Sequence, residues 1–190
     1  MTVSDQLLPD NTLVERIAQG DAPSFETIFH RYYDKVYGIL FRLVGTRSEA
    51  EDLTQEVFLK LYQQPPRRGQ EHNVGGWLYR VATNTGYNHI RGRQRRWQRN
   101  RWLVPGMDRS AASPGDDNPE QQVESNQART QARAALSRLK PRQVQLLLLR
   151  QMGLSYAELA DACEIAPGSV GKLLSRAARD FARAYERAGG

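Results

Sequence analysis

The sequence predicts an all-α protein built as two small helical domains joined by a flexible acidic linker. Three observations carry that prediction. Apolar residues recur at three- and four-residue spacing through most of the chain, and no alternating strand pattern of useful length appears. One stretch, residues 105–120, holds three prolines and two glycines among acids and amides and has nothing to bury, so it cannot offset its ordering entropy. Charge falls in blocks that change sign along the chain. The domains are read as residues 1–100 and 125–190, with the linker over 101–124.

The elements follow in order. Phe25, Ile28, Phe29, Tyr32, Val36, Tyr37, Leu40 and Val44 form one apolar stripe, and Gly45 ends it as a C-terminal glycine would. Ser48, with Glu51 three residues on, reads as a capping box opening the next helix, whose stripe is Ala50, Leu53, Val57, Phe58 and Leu61. Pro65 and Pro66 stop it. A short polar stretch follows, then a helix from about Trp77 through Leu78, Val81, Ala82 and Ile90 into the basic tract of residues 91–101. Beyond the linker, helix resumes near Glu120, with Ala132, Leu136 and Leu139 facing a core. Pro141 suits a first helical position, Val144, Leu147 and Leu148 form the next stripe, and Gly153 ends it. Ser155 and Glu158 make a capping box for a short helix. The turn Glu164–Ala166 leads to a last helix from Pro167, with Val170, Leu173, Leu174, Ala177 and Phe181 inward.

The chain has 190 residues, of which 39% are hydrophobic and 25% charged, enough apolar material for a core and too much for a wholly disordered protein. Lys and Arg outnumber Asp and Glu by 27 to 21, and a basic protein with a pI near 9.7 often meets a polyanion. The excess is local. Residues 1–62 carry a net −4, residues 63–104 a net +8, residues 105–124 a net −4 and residues 125–190 a net +6. Two basic blocks around an acidic spacer point to two modules that face nucleic acid. The single cysteine, Cys163, excludes an internal disulfide and a cysteine-based zinc site. The acidic N-terminus has no apolar core of a signal peptide, and no apolar run approaches the roughly 20 residues that span a bilayer. The expectation is a cytoplasmic protein without membrane insertion.

Three constellations carry chemistry. Leu154 to Phe181 has helix-turn-helix spacing: Ala160 sits where the two helices approach, and Ile165 plugs the turn. The second helix would expose Ser169, Lys172, Ser175, Arg176 and Arg179 on one face, donors for phosphates and guanine edges in a major groove. The tract from Trp77 to Trp102 combines aromatics (Trp77, Tyr79, Tyr87, Trp97, Trp102) with seven arginines and with Asn84 and Asn88, which suits single-stranded or melting DNA better than intact duplex. Trp77 itself, beside Leu78 and Val81, reads more as a core aromatic. The helix of residues 48–62 offers an acidic face with Asp52, Gln55 and Glu56, fit for docking on a helical partner or merely solvated. Enzyme signatures are missing. Gly75-Gly76 is followed by no GK[ST], the histidines 30, 72 and 89 lack ligand spacing, and no nucleophile has an evident base. No catalytic residue, metal or cofactor is expected.

These residues resemble a known family. LVERIAQGDAPSFETIFHRYYDKVYGILFRLVG, then AEDLTQEVFLKLY, then GWLYRVATNTGYNHIRGRQRR, is similar to region 2 of bacterial RNA polymerase sigma factors of the extracytoplasmic-function class. ALSRLKPRQVQLLLLRQMGLSYAELADACEIAPGSVGKLLSRAARDF resembles region 4 of the same class. The resemblance covers residues 13–98 and 128–182, and the pairing of AEDLTQEVFLKLY with GWLYRVATN is its most specific part. It implies that Asp52, Leu53, Gln55 and Glu56 dock on the clamp helices of the polymerase largest subunit. It implies that Arg80, Asn84, Asn88 and Arg91 take the −10 element and hold the non-template strand, where flipped bases find pockets that the duplex cannot use. The last helix would read the −35 element as duplex beside the polymerase flap region, and the linker would thread toward the active site and RNA exit. An anti-sigma factor is the expected regulatory partner.

The sequence departs from the family at one place. Family recognition helices often carry Lys-Ser-Arg just after the valine matching Val170, whereas this chain has Gly171-Lys172-Leu173. That leaves the −35 sequence open. The basic tract past Arg91 also runs longer than the family needs, which predicts extra phosphate contacts. Competing readings are a dimeric helix-turn-helix regulator that binds a palindrome without polymerase, a recombinase or nuclease, and an RNA-binding protein using the basic aromatic tract.

Overall fold

A run of helix boundaries written into the chain decides where each element begins and ends. The computed structural model describes residues 8–66, 73–100 and 119–189. Of the expected linker over residues 101–124, residues 101–118 (Trp102 among them) lie outside the described residues, as do His72 and the side chain of Trp97, whereas residues 119–124 are already helical.

A short helix that the sequence stripe did not separate, α1 (Asp10–Ile17), comes first and buries Leu13, Val14 and Ile17. It is pinned to the next helix because Asp10 accepts from both the Arg31 guanidinium and the Tyr32 hydroxyl. Helix α2 (Ala22–Val44) is opened by Asp21, whose carboxylate accepts from the Ser24 amide at 3.2 Å, and closed by Gly45 in the left-handed conformation at φ 87°. A Cβ at Gly45 would meet the Arg133 guanidinium, so glycine serves both the turn and a neighbour.

Helix α3 (Arg47–Gln63) starts earlier than Ser48, and its cap residue is Thr46. The expected Ser48–Glu51 box does not form. Thr46 Oγ1 instead donates to Glu49 at 2.7 Å, and Glu51 pairs with Arg47. The two pairs have the same spacing, and the extended backbone at Thr46 selects the earlier one. Helix α4 (Val74–Asn100) also starts before the expected Trp77, because the Asn73 side-chain oxygen accepts from the Gly76 amide at 2.9 Å.

The second half contains α5 (Pro119–Leu136), α6 (Pro141–Gln151), α7 (Tyr156–Cys163) and α8 (Val170–Gly189). Pro141 occupies the first turn of α6 as expected. The Ser155–Glu158 box closes as expected, at 3.3 Å from the Glu158 amide to Ser155 and 2.7 Å from the Ser155 amide to Glu158. Pro167–Ser169 forms a single 3-10 turn, so α8 proper begins at Val170. No strand occurs among the described residues.

Helix α2 packs on α1, α3 and α4 to make the first bundle, and α8 packs on α5 and α6 to make the second. The two bundles also touch. Helix α4 lies against α6 and α7, and α2 against α5. Buried side chains from both halves form one continuous core, from Ile28, Leu40, Phe58 and Leu78 to Val144, Leu149, Leu159 and Val170. Polar interactions fix this seam. Tyr87 donates its hydroxyl to the Leu139 carbonyl, Arg80 pairs with Glu164, and Arg133 Nε donates to the Arg42 carbonyl at 3.2 Å. Gly76 lets the α4 backbone come so near α7 that a Cβ there would stand 3.3 Å from Ala162 Cα.

Candidate nucleic-acid and protein interfaces

The helix-turn-helix is assembled by local chemistry. Gly153, at φ 89°, ends α6, the Ser155 box starts α7, and Glu164 at φ 51° turns the chain toward α8. Val170, Ala177 and Ala184, seven apart, face inward and leave the opposite side of α8 to solvent. Ser169, Lys172, Ser175, Arg176 and Arg179 are all exposed, with Ser169 in the 3-10 turn and the other four along one side of α8. Lys172, Arg176 and Arg179 make no ion pair with a described residue. They stand along a ridge, which is the shape that enters a groove. Gly171 takes no special backbone conformation, and a Cβ there would be in ordinary contact with the Tyr156 ring at 3.6 Å.

On α4 the expected residues separate. Asn84, Asn88 and Arg91 are exposed and share a face. Arg80 does not stand with them in the open. Its side chain is only 20% accessible and pairs with Glu164 in the turn of the helix-turn-helix. The expectation that Tyr79 and Tyr87 are available for base stacking fails, because both lie in the core, 7% and 2% exposed. Eight residues apart, they share the inward face of α4 with Leu78, Ala82 and Ile90, and the packing of α4 on two bundles demands that face. Burial, and then the nearby Glu158 and Asp10 charges, push the Tyr79 hydroxyl up to about 12. Trp77 is partly buried against the core, as its neighbours predicted. Arg91 lies over the Tyr87 ring at 5.6 Å.

The α3 face divides likewise. Asp52, Gln55 and Glu56 are exposed, whereas Leu53 is 8% exposed and belongs to the core. Leu53 therefore supports the face from behind. Two residues absent from the sequence-derived set complete it: Leu59 is 52% exposed and Tyr62 47%. Their spacing from Asp52, Gln55 and Glu56 was the available signal, since positions 52, 55, 59 and 62 fall on one side of a helix. An acidic patch edged by exposed apolar side chains has the composition of a protein-binding face.

Glu49 ties α3 to α4. It accepts from Thr46, stands 3.0 Å from His89 Nε2 and 3.3 Å from Arg93. Burial would raise its carboxyl pKa, but the hydrogen bonds from Thr46 and His89 and the Arg93 charge outweigh it, and the carboxyl is held below its ordinary value. His89 is thus an interhelix partner. His30 stands 3.7 Å from Glu26 on the same helix. Cys163 is buried, and burial pushes its thiol up to about 11, the opposite of an activated nucleophile. Among the described residues no group of three acids, histidines or cysteines could hold a metal ion, and no helix is long and apolar enough to cross a membrane.

Comparison with known proteins gives a consistent picture. A family model described as Sigma-70 region 2 matches residues 28–96, and one described as Sigma-70, region 4 matches residues 129–180. The chain is similar to an ECF RNA polymerase sigma-E factor of Haemophilus influenzae, 31% identical over 174 residues that cover 90% of this chain and 92% of the relative. It is similar to the RNA polymerase sigma-H factor of Pseudomonas aeruginosa, 29% identical over 188 residues, covering 93% and 94% of the two chains. Among solved structures its fold matches the sigma factor RpoE of Bartonella quintana, crystallised in complex with the anti-sigma factor NepR. That match has a TM-score of 0.51 at 22% identity and covers 85% of this chain and 96% of the other.

Proposed function

The chain belongs to the ECF class of sigma-70 family RNA polymerase sigma factors, and on that basis we propose how its exposed faces divide the work of directing polymerase to promoters. Sigma factors are not enzymes; the polymerase does the chemistry. Region 2 is assigned to residues 1–100 and region 4 to residues 125–190, with α5 entering from the spacer of residues 101–124 at Pro119.

The α3 face, Asp52, Gln55 and Glu56 with Leu53 packed beneath them, docks on the clamp helices of the largest polymerase subunit. Leu59 and Tyr62 add apolar anchors at its edge. Asn84, Asn88 and Arg91 take the −10 strand, and Arg80 joins them once its pairing with Glu164 is released. The α8 ridge of Ser169, Lys172, Ser175, Arg176 and Arg179 reads the −35 duplex, with region 4 held near the polymerase flap region. Specific readout comes from groove contacts, and affinity comes mainly from phosphates. An anti-sigma factor that covers these faces is the regulatory partner, and the site of action is the cytoplasm.

The observation that carries this reading is the presence on one chain of three outward faces of different chemistry: acidic and apolar on α3, amide and arginine on α4, basic on α8. Run-off transcription with purified bacterial core polymerase on fragmented genomic DNA tests it. Discrete start sites should appear only with the protein and vanish when Gln55 and Glu56 are both changed to Arg. No new starts, together with tight duplex binding by the protein alone, would make it a conventional helix-turn-helix regulator.

A further inference from the structure

Between α4 and the loop joining α5 to α6 lies a cavity of about 540 Å³. Arg91 and Arg95 enter it from successive turns of α4, and Arg138 and Lys140 enter from the loop. Its floor includes Tyr87 and Leu139, locked together by the hydroxyl-to-carbonyl hydrogen bond. Among the described residues no acidic side chain lines it. None of the four cations makes an ion pair with a described residue, and Arg91 lies over the Tyr87 ring.

Four cations around one concavity, with no acidic partner among the described residues, repel each other, and a bound anion relieves that repulsion. A single phosphate carries about −2 and would leave two cations unmatched, whereas two or three linked phosphates match all four. The cavity falls within the size range of small-ligand sites, roughly 300–1,000 Å³. The cations converge on a hollow, unlike the ridge of Lys172, Arg176 and Arg179 that suits a groove. We infer that this seam pocket binds a short polyphosphate chain, either free or carried by a nucleotide. Because its walls come from both halves of the molecule, an occupant holds the halves together.

The test is calorimetric titration of the full chain with sodium tripolyphosphate, ATP and orthophosphate at constant ionic strength. Tripolyphosphate should bind saturably, one to one, and orthophosphate far more weakly. Changing Arg138 and Lys140 together to Ala should weaken tripolyphosphate by about tenfold or more. Arg95→Ala gives a second, single-site check on the α4 wall. Arg183 and Arg187, changed together to Ala, remove the same charge from the far end of α8 and should leave binding intact. Equal affinity for tripolyphosphate and ATP would identify the phosphate chain as the ligand, and preference for ATP would identify a nucleotide; both uphold the site. Equal weakening by the two double variants would reduce the effect to net charge and overturn it. So would the lack of saturation, or duplex DNA binding that depends on Arg138 and Lys140 while tripolyphosphate does not bind. Promoter-specific transcription is read separately, so its loss or survival does not decide this question.

Discussion

Glu49 is half-buried between α3 and α4; burial disfavours its charge, but Thr46, His89 and Arg93 around it outweigh that cost. Its carboxyl pKa is lowered from the ordinary 4.5, so the stability it contributes is fully present above that value and is lost as pH falls through the lower folded-state value. Urea unfolding should therefore show wild type losing more stability between pH 7 and about pH 3 than Glu49→Gln, which keeps the shape and removes the titration. Parallel losses in the two proteins would mean that Glu49 is an ordinary surface carboxylate. Residue type alone did not reveal this role. Glu49 reads as one more acid in an acidic half, and it acquires an imidazole and a guanidinium partner only because α4 brings His89 and Arg93 across from forty residues away.

At the scale of the element, α8 shows how far periodicity reaches. The seven-residue spacing of Val170, Ala177 and Ala184 fixes which side is buried, and hence which five residues face out. If Arg176 and Arg179 bind phosphates, changing both to Ala should lower the slope of log affinity against log salt by about 0.9 for each phosphate no longer neutralised. Arg95 and Arg96, exposed beyond Arg91 on α4, predict the same flattening for promoter-complex formation when both become Ala. An unchanged slope in either pair removes those residues from the DNA interface. Helix α4 shows where periodicity fails. Its aromatics and arginines read as one nucleic-acid tract, but a helix wedged between two bundles buries more of its circumference than a surface helix does. Tyr79 and Tyr87 lie in the core, and Arg80 lies in the seam.

At the scale of the molecule, the seam is the feature that no local pattern announces. Gly75-Gly76 stands out in the sequence only as glycines without the rest of a phosphate loop. Gly76 in fact permits the close passage of α4 over Ala162. Gly76→Leu should force the two bundles apart, lowering stability by about 1–3 kcal/mol. Urea denaturation measures that loss, and limited proteolysis should show α5–α8 cleaved earlier than in wild type. Unchanged stability and cleavage would mean that the bundles do not depend on this close approach. The Arg80–Glu164 pair belongs to the same scale: it commits an arginine that the sequence assigns to the promoter face to holding the halves together.

Residue order alone specifies the helical class, the boundaries set by Gly45, Pro141, Gly153 and the Ser155–Glu158 box, and the exposed faces of α3 and α8. These depend on neighbours three or four residues away, and such interactions are written directly along the chain. Residue order also carries the family, because AEDLTQEVFLKLY, GWLYRVATN and the helix-turn-helix occur in one order around an acidic spacer. It took the packing of helix on helix to place Tyr79 and Tyr87 in the core, to engage Arg80, and to gather Arg91, Arg95, Arg138 and Lys140 around one hollow. The reason is physical. Those outcomes depend on which helix packs against which, a competition among long-range interactions that residue spacing along one helix does not encode.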